Sequence, residues 1–404
     1  MKLKEHTITS FTVIAEGLNN PKGLSFSPDG SLYIAEAGIG GDGKSIPSPS
    51  GQGDLCYGTS GAIAKIENGI VKRVLTNLPS VAFADGTGAA GPHDIKFDAQ
   101  GKAYVLIGYA ANPALRDRAL GNTDLGKIIT ANLSTNTWDS TADLANYELT
   151  NNSTSRECEV VSNPLSFYID GDTIVLVDAG ANSVLSGNID GSDLKVIAAI
   201  PNQILTNPIF PGSNSQNFDR GHVPPASAYR QAPPSQIAIQ SVPTDIVKGS
   251  DGAYYVSEFT GFPFPEGQAK IYRIDADGLT VYADGFTQLI DLAFDTEGNL
   301  YALQHMNASG WKGKPEGSLI KIASDGTRTT LVSGNGLESP AAFTIGPDNA
   351  FYVINRGGRP GQGQVIRIEN TSVPEPASAL GKGKALVDMT NSTQKFQAKA
   401  IASP

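Results

Sequence analysis

Asp94, Asp245 and Asp291 each open a short apolar run, Asp-Ile-Lys-Phe, Asp-Ile-Val-Lys and Asp-Leu-Ala-Phe. Asn163 precedes a similar run, while Glu36, Asp178 and Glu258 close runs of the same kind. His93 and His305 lie beside such runs, and the whole chain holds only four histidines, with His6 and His222. Carboxylates and amides with few imidazoles are the ligand chemistry of a hard divalent cation. Ca²⁺ is therefore the first expectation for Glu36, Asp94, Asn163, Asp178, Asp245 and Asp291, Mg²⁺ also fits, and the imidazoles admit Mn²⁺ or Zn²⁺. His93, His305 and Glu258 are the candidates for acid–base catalysis. A repeated Asp can instead cap a loop backbone or pair neighbouring units, and both readings stay open.

Other chemistries leave no trace. The chain has no nucleophile elbow, phosphate loop, dinucleotide fingerprint, HExxH or CxxC, which argues against serine hydrolysis and against nicotinamide or flavin chemistry. No copper or haem ligand set is visible either.

The elements that must position these residues come from a repeat. An apolar strand, a tight turn ending in Gly or Asn and a second strand recur six times, at 23–38, 94–108, 165–180, 245–259, 291–305 and 342–357. The turn residues are Gly30, Gly101, Gly171, Gly252, Gly298 and Asn349. Period-2 alternation marks paired strands, and these residue types tolerate the positive φ of tight hairpins. A second hairpin follows the first five copies, which makes a four-stranded meander, the unit of a propeller blade. The sixth copy supplies only a third strand, 364–369, and the segment 11–18 resembles the blade-ending strands. The expected fold is all-β: a six-bladed propeller over 10–370, closed by its N-terminal strand, with 1–9 a flexible start and 371–404 a disordered tail.

Long connections at 39–60, 109–126, 201–241, 260–268, 306–317 and 357–363 fall after second strands or between repeats. In a propeller these share one face, so binding residues are expected around that mouth of the channel. Phe262 and Phe264, in Gly-Phe-Pro-Phe-Pro, could wall a flat ligand there, extended by Trp311 and Tyr109.

Composition narrows the partners. Of 404 residues 17% are charged, the net charge is -10, and no basic stripe occurs, so nucleic acid is not expected. No run of 18 apolar residues is present, so no transmembrane segment is expected, and the start lacks the apolar core of a secretory signal. Cys56 and Cys158 are the only cysteines and allow at most one disulfide. Nothing in the sequence sets the oligomeric state, and a homodimer stays open.

The motifs AEAGIGGDG, CYGTSGAIAKI, GPHDIKFDAQGKAYVLIG, FTGFPFPEGQAKIYRI, GFTQLIDLAFDTEGNLYAL, GSLIKIASDGTRTTLV and INRG together resemble the ScyD/ScyE family across nearly the whole repeat region. That resemblance implies an NHL-type propeller of the cyanobacterial pathway to scytonemin, an indole-derived sunscreen pigment. It also implies export to the periplasm and a late step, the oxidative joining of two tricyclic indole ketone monomers. Gluconolactonase-type propellers hold a cation through Glu, Asn and Asp at the starts of strands, and of these only Asn163 is clearly matched. Relatives often carry a cysteine after AEAGxGG as partner for the one at Cys56. Here that position is not Cys, which leaves Cys158 as the possible partner. SVPEPASALG at 372–381 resembles an exosortase sorting signal, but no hydrophobic helix or basic end follows, and a Pro-rich linker reads equally well. Three functions are carried forward: a metal-dependent coupling enzyme, a non-catalytic binding or scaffold propeller for pigment precursor or partner protein, and a lactonase-like hydrolase.

Overall fold

In a computed structural model that describes residues 11–153, 160–211 and 235–370, six antiparallel sheets of at least four strands each follow one another along the chain. Their innermost strands are Pro21–Phe26, Pro92–Phe97, Pro164–Asp170, Pro243–Lys248, Leu289–Phe294 and Ala342–Ile345, here blades 1 to 6. Gly30, Gly101, Gly171, Gly252, Gly298 and Asn349 all turn the first hairpins at positive φ, between 62° and 85°. A β-carbon is penalised there, which is why the repeat carries Gly five times and Asn once. Strand Thr12–Leu18 pairs antiparallel with Gly363–Ile368, with Thr12 opposite Arg367, and so completes blade 6. The ring of six blades expected from the sequence is the ring observed.

Alternation along each second strand explains how the ring packs. Tyr33 and Ala35 face blade 2, whereas Ile34 between them faces blade 6. Val105 and Ile107 pack on blade 1, whereas Tyr104 and Leu106 pack on blade 3. Both faces of every blade are therefore covered, and six apolar clusters result, one at each interface between consecutive blades. Each fully buried Leu, Ile or Phe contributes about 1.5–3 kcal/mol, so the interfaces carry the fold.

Some long connections hold structure that the repeat does not announce. Ser45–Pro47 adds a fifth strand to blade 1. Gln203–Thr206 and Gln236–Ile239 form a separate hairpin. A short helix with a π turn, Arg116–Leu120, packs near helix Leu144–Asn151 on blade 2. The second helix begins where Asp143 caps the N–H of Asn146, and Arg116 grips that same Asp143 with both terminal nitrogens, at 2.7 and 2.8 Å. No helix among the described residues is long and apolar enough to cross a membrane. The N-terminal ten residues, Cys158 and the tail from 371 lie outside the described residues. Cys56 is half-buried on Asp54–Glu67, across from Ser45 and Ala82.

Candidate functional site

The second strands end in side chains that cap backbone. Glu36 Oε1 accepts from the Asn19 N–H at 2.7 Å, Asp178 from Asn163 at 2.7 Å, Gln304 from Thr287 at 2.8 Å, and Asn355 from Glu338 at 2.7 Å. Each acceptor fixes the loop that leads into the innermost strand of its own blade. Glu258 varies the theme, with Oε1 accepting from Ser241 Oγ, Gln203 Nε2 and Tyr272 Oη. Burial raises the pKa values of Asp178 and Glu258 against the lowering effect of these donors. Glu36 also pairs with Arg73 at 2.8 Å.

The two histidines act between blades. His93 Nδ1 donates to Pro164 O of blade 3 at 3.0 Å, and His305 Nδ1 to Pro340 O, which leads into blade 6, at 2.8 Å. Thr244 Oγ1 makes the corresponding bond from blade 4 to Leu289 O of blade 5, at 3.0 Å. A carbonyl only accepts, so both imidazoles carry a proton on Nδ1. His93 is buried, and desolvation lowers its pKa to about 4, which keeps it neutral near pH 7. Its ring lies over Gly108, where an added Cβ would fall 2.0 Å from Cε1. His305 is half-buried. The pair sits on blades 2 and 5, opposite members of a six-membered ring, so they do not form one catalytic unit.

Asp94, Asp245 and Asp291 form a belt around the channel. Asp94 Oδ2 accepts from the Phe167 N–H at 3.4 Å, Asp245 Oδ2 from Leu292 at 3.0 Å, and Asp291 Oδ2 from Phe343 at 2.7 Å. Each aspartate thus holds the innermost strand of the following blade. Ser166 Oγ lies between Asp94 and Asp245, at 3.1 and 2.6 Å, and Lys96 Nζ is 3.0 Å from Asp94 Oδ2. Burial raises the pKa of Asp94, and raises that of Asp291 well above the ordinary value with help from the charge of Asp245.

These residues do not fit one cation. Both oxygens of each belt aspartate already meet an N–H, O–H or ammonium donor. Among the candidate residues, the buried acceptor atoms without a partner, Glu36 Oε2, Asn163 Oδ1 and Glu258 Oε2, belong to three different blades. Among the described residues, no three His, Cys, Asp or Glu groups gather where an ion could be held.

What does gather is aromatic. Phe259, just beyond Glu258, has its ring centroid 5.6 Å from His305 and 5.9 Å from Phe264, and Phe264 lies 5.8 Å edge-on to Phe262. Phe210 adds a further ring 5.9 Å from Phe262. The loops that carry them are tied together: Trp311 Nε1 donates to Pro263 O at 3.0 Å, and Glu266 takes the Ser309 N–H at 2.9 Å and pairs with Lys312 at 2.6 Å. Thr260 and Phe264 sit at φ 73° and 57°, each costing of order 1–3 kcal/mol. The sequence reading named Phe262, Phe264, Trp311 and His305 as candidates and did not name Phe259, although the aromatic density of Phe-Thr-Gly-Phe-Pro-Phe was a usable signal. Tyr109 does not join them. It is fully buried in the interface of blades 1 and 2, and its hydroxyl donates to Asn112 O at 3.2 Å.

No protein-family model matches the chain, and no curated protein matches it. Among solved structures, it is similar to a protein named provisionally as a gluconolactonase, at 11% identity and TM-score 0.47, covering 89% of this chain and 92% of that one. It is also similar to a streptogramin B lyase (12%, TM-score 0.42, covering 91% and 98%). A third is virginiamycin B lyase from Staphylococcus aureus (11%, TM-score 0.44, covering 89% and 99%). At these values no activity transfers, and the propeller assignment rests on the strand order of this chain.

Proposed function

We propose that this propeller binds a planar, indole-derived small molecule on the aromatic ledge of blades 4 and 5, as a periplasmic component of scytonemin-type pigment biosynthesis. The observation that carries the proposal is the chain of ring contacts from half-buried His305 through Phe259 and Phe264 to Phe262, on loops fixed to each other by Trp311 and Glu266. Flat aromatic ligands stack on or meet such rings edge-on, for about 0.5–1.5 kcal/mol per contact beyond area burial. The motif resemblance supplies the pigment and the compartment.

The finer reading, a ScyE-like late-step coupling, is favoured by the tautomer of His305. With Nδ1–H donating to Pro340 O, Nε2 is the basic atom, suited to take a proton from an acidic ring carbon or indole N–H. Joining two monomers breaks one C–H bond on each, forms one carbon–carbon bond and releases two protons and two electrons. His305 takes one proton, solvent the other, and dioxygen the electrons. The chain's part is then to hold two monomers in register. The hydrolase alternative needs a Glu, Asn and Asp set around one cation, which the geometry does not favour.

The test is titration of purified protein with the tricyclic monomer in air, followed by fluorescence for binding and mass spectrometry for dimer. Binding weakened about tenfold by Phe262→Ala or Trp311→Ala supports the ledge. Dimer that forms with wild type but not with His305→Ala supports coupling. Saturable binding without dimer supports the binding module, and absence of binding overturns the reading.

A further inference from the structure

The face opposite the long connections carries a groove of about 780 Å³ between the turn of the first hairpin of blade 1 and both hairpin turns of blade 2. We propose that this groove binds a neutral saccharide chain. Its volume lies within the ordinary range for small-ligand sites, about 300–1,000 Å³.

The floor is aromatic and fixed. Tyr33 is buried, with its ring centroid 5.0 Å from that of half-buried Phe97. Trp138 is half-buried on the outermost strand of blade 2, and its Nε1 donates to Asp124 Oδ2 at 3.0 Å, which sets the plane of the indole. The turn following Leu133 is tied to blade 1, where Asn136 Oδ1 accepts the Thr76 N–H at 2.7 Å. The groove is therefore held by bonds between two blades.

The rim is polar, and its chemistry selects the ligand. Gln100, Lys102 and Asp139 are exposed there and present amide, ammonium and carboxylate groups. Asp29, also on the rim, is held as an anion, its pKa lowered to about 2 by bonds from Ser27 and Ser31. Asp29 and Asp139 face Lys102, and Lys65, 5.7 Å from the Tyr33 ring, is itself paired with Glu67 at 3.2 Å, so no net positive charge is left to hold phosphates and other anionic ligands. A purely apolar ligand would leave the rim groups to be desolvated without partners. A pyranose chain meets both demands, since its C–H faces lie flat on an indole or phenyl ring while its hydroxyls both donate and accept at the edges.

Cellohexaose, xylohexaose and maltohexaose are the probes, titrated by calorimetry into the full chain. At least one binds saturably to wild type. The affinity falls about tenfold both in Trp138→Ala and in the double variant Gln100→Ala/Asp139→Asn, as expected for one or two lost contacts. Trp138 packs against the core, so the double variant, at exposed positions, keeps the test valid if Trp138→Ala fails to fold. Trp311→Ala, on the opposite face, binds the sugar like wild type, which separates this groove from the aromatic ledge. Absence of heat with all three probes, or unchanged affinity in the double variant, overturns the proposal.

Discussion

Asp245 and Asp291, on neighbouring blades, share one backbone N–H: Leu292 donates to Asp245 Oδ2 at 3.0 Å and to Asp291 Oδ1 at 2.7 Å. Two carboxylate oxygens, from buried Asp245 and half-buried Asp291, converging on a single donor repel each other unless a proton lies between them. The raised pKa of Asp291, caused first by burial and then by the charge of Asp245, expresses that need. Lys96 is 31% exposed and belongs to Asp94, so it offsets the pair only from a distance.

Asp291→Asn is therefore expected to stabilise the protein at neutral pH. A carboxyl whose pKa is higher folded than unfolded favours folding at low pH, and that contribution is lost as pH rises from its ordinary value of 3.8 through the raised one. Asn donates an N–H to Asp245 at every pH and still accepts from Phe343 through its oxygen, while the Leu292 N–H gives up its bond to residue 291 and keeps the one to Asp245 Oδ2. Thermal unfolding should show a variant equal to wild type or slightly below it near pH 4, and about 2 °C or more above it at pH 8, corresponding to roughly 1 kcal/mol. A variant that is less stable at both pH values would mean that no proton is shared.

Lys96→Met tests whether the belt relies on its own ammonium rather than on a bound metal. Removing Lys96 leaves buried Asp94 without its opposite charge, and breaking such pairs costs up to about 3–5 kcal/mol, less here because the lysine is partly exposed. The loss should be largest at pH 8 and shrink as pH falls through the raised pKa of Asp94. In wild type, EDTA or millimolar Ca²⁺ should each move Tm by less than about 1 °C, because a ligand that binds only the folded state would raise it. A clear calcium-dependent rise would show that a cation competes successfully for these oxygens.

The ring was legible in the sequence because its determinants are local. Gly30 and its five counterparts must turn at positive φ, and the apolar alternation on either side fixes the strands. The closing strand was legible too, since Thr12–Leu18 resembles the blade-ending strands whose place it takes. The roles of Asp94, Asp245 and Asp291 were not, because their partners lie one blade away, 73 residues on for Phe167, 47 for Leu292 and 52 for Phe343. A repeated aspartate marks a position without naming what it bonds. Helix Leu144–Asn151 was missed for a different reason. Its sequence has no apolar stripe, and it is anchored by Asp143 to Arg116, 27 residues earlier.

His93 supplies the opposite pH signature to Asp291. Its pKa falls from 6.5 to about 4, chiefly through burial, so it folds as the neutral imidazole. A base whose folded pKa is depressed contributes stability above its unfolded value, and that stability is lost as pH drops from about 6.5 towards 4. The wild-type loss across this window should be of order 3 kcal/mol. His93→Gln keeps an N–H able to reach Pro164 O but cannot ionise, so this part of the acid limb should flatten. The variant will be less stable than wild type at pH 7, by about 1–3 kcal/mol, because the ring that fills the space over Gly108 is replaced by a narrower amide. Urea unfolding at pH 7, 5.5 and 4.5 reads both effects, and binding of the aromatic ligand on blades 4 and 5 should be unchanged at pH 7. If His93→Gln keeps the full slope between pH 6.5 and 4, another group carries the acid sensitivity. If it instead abolishes ligand binding while leaving stability intact, His93 belongs to the binding site rather than to the clasp between blades 2 and 3.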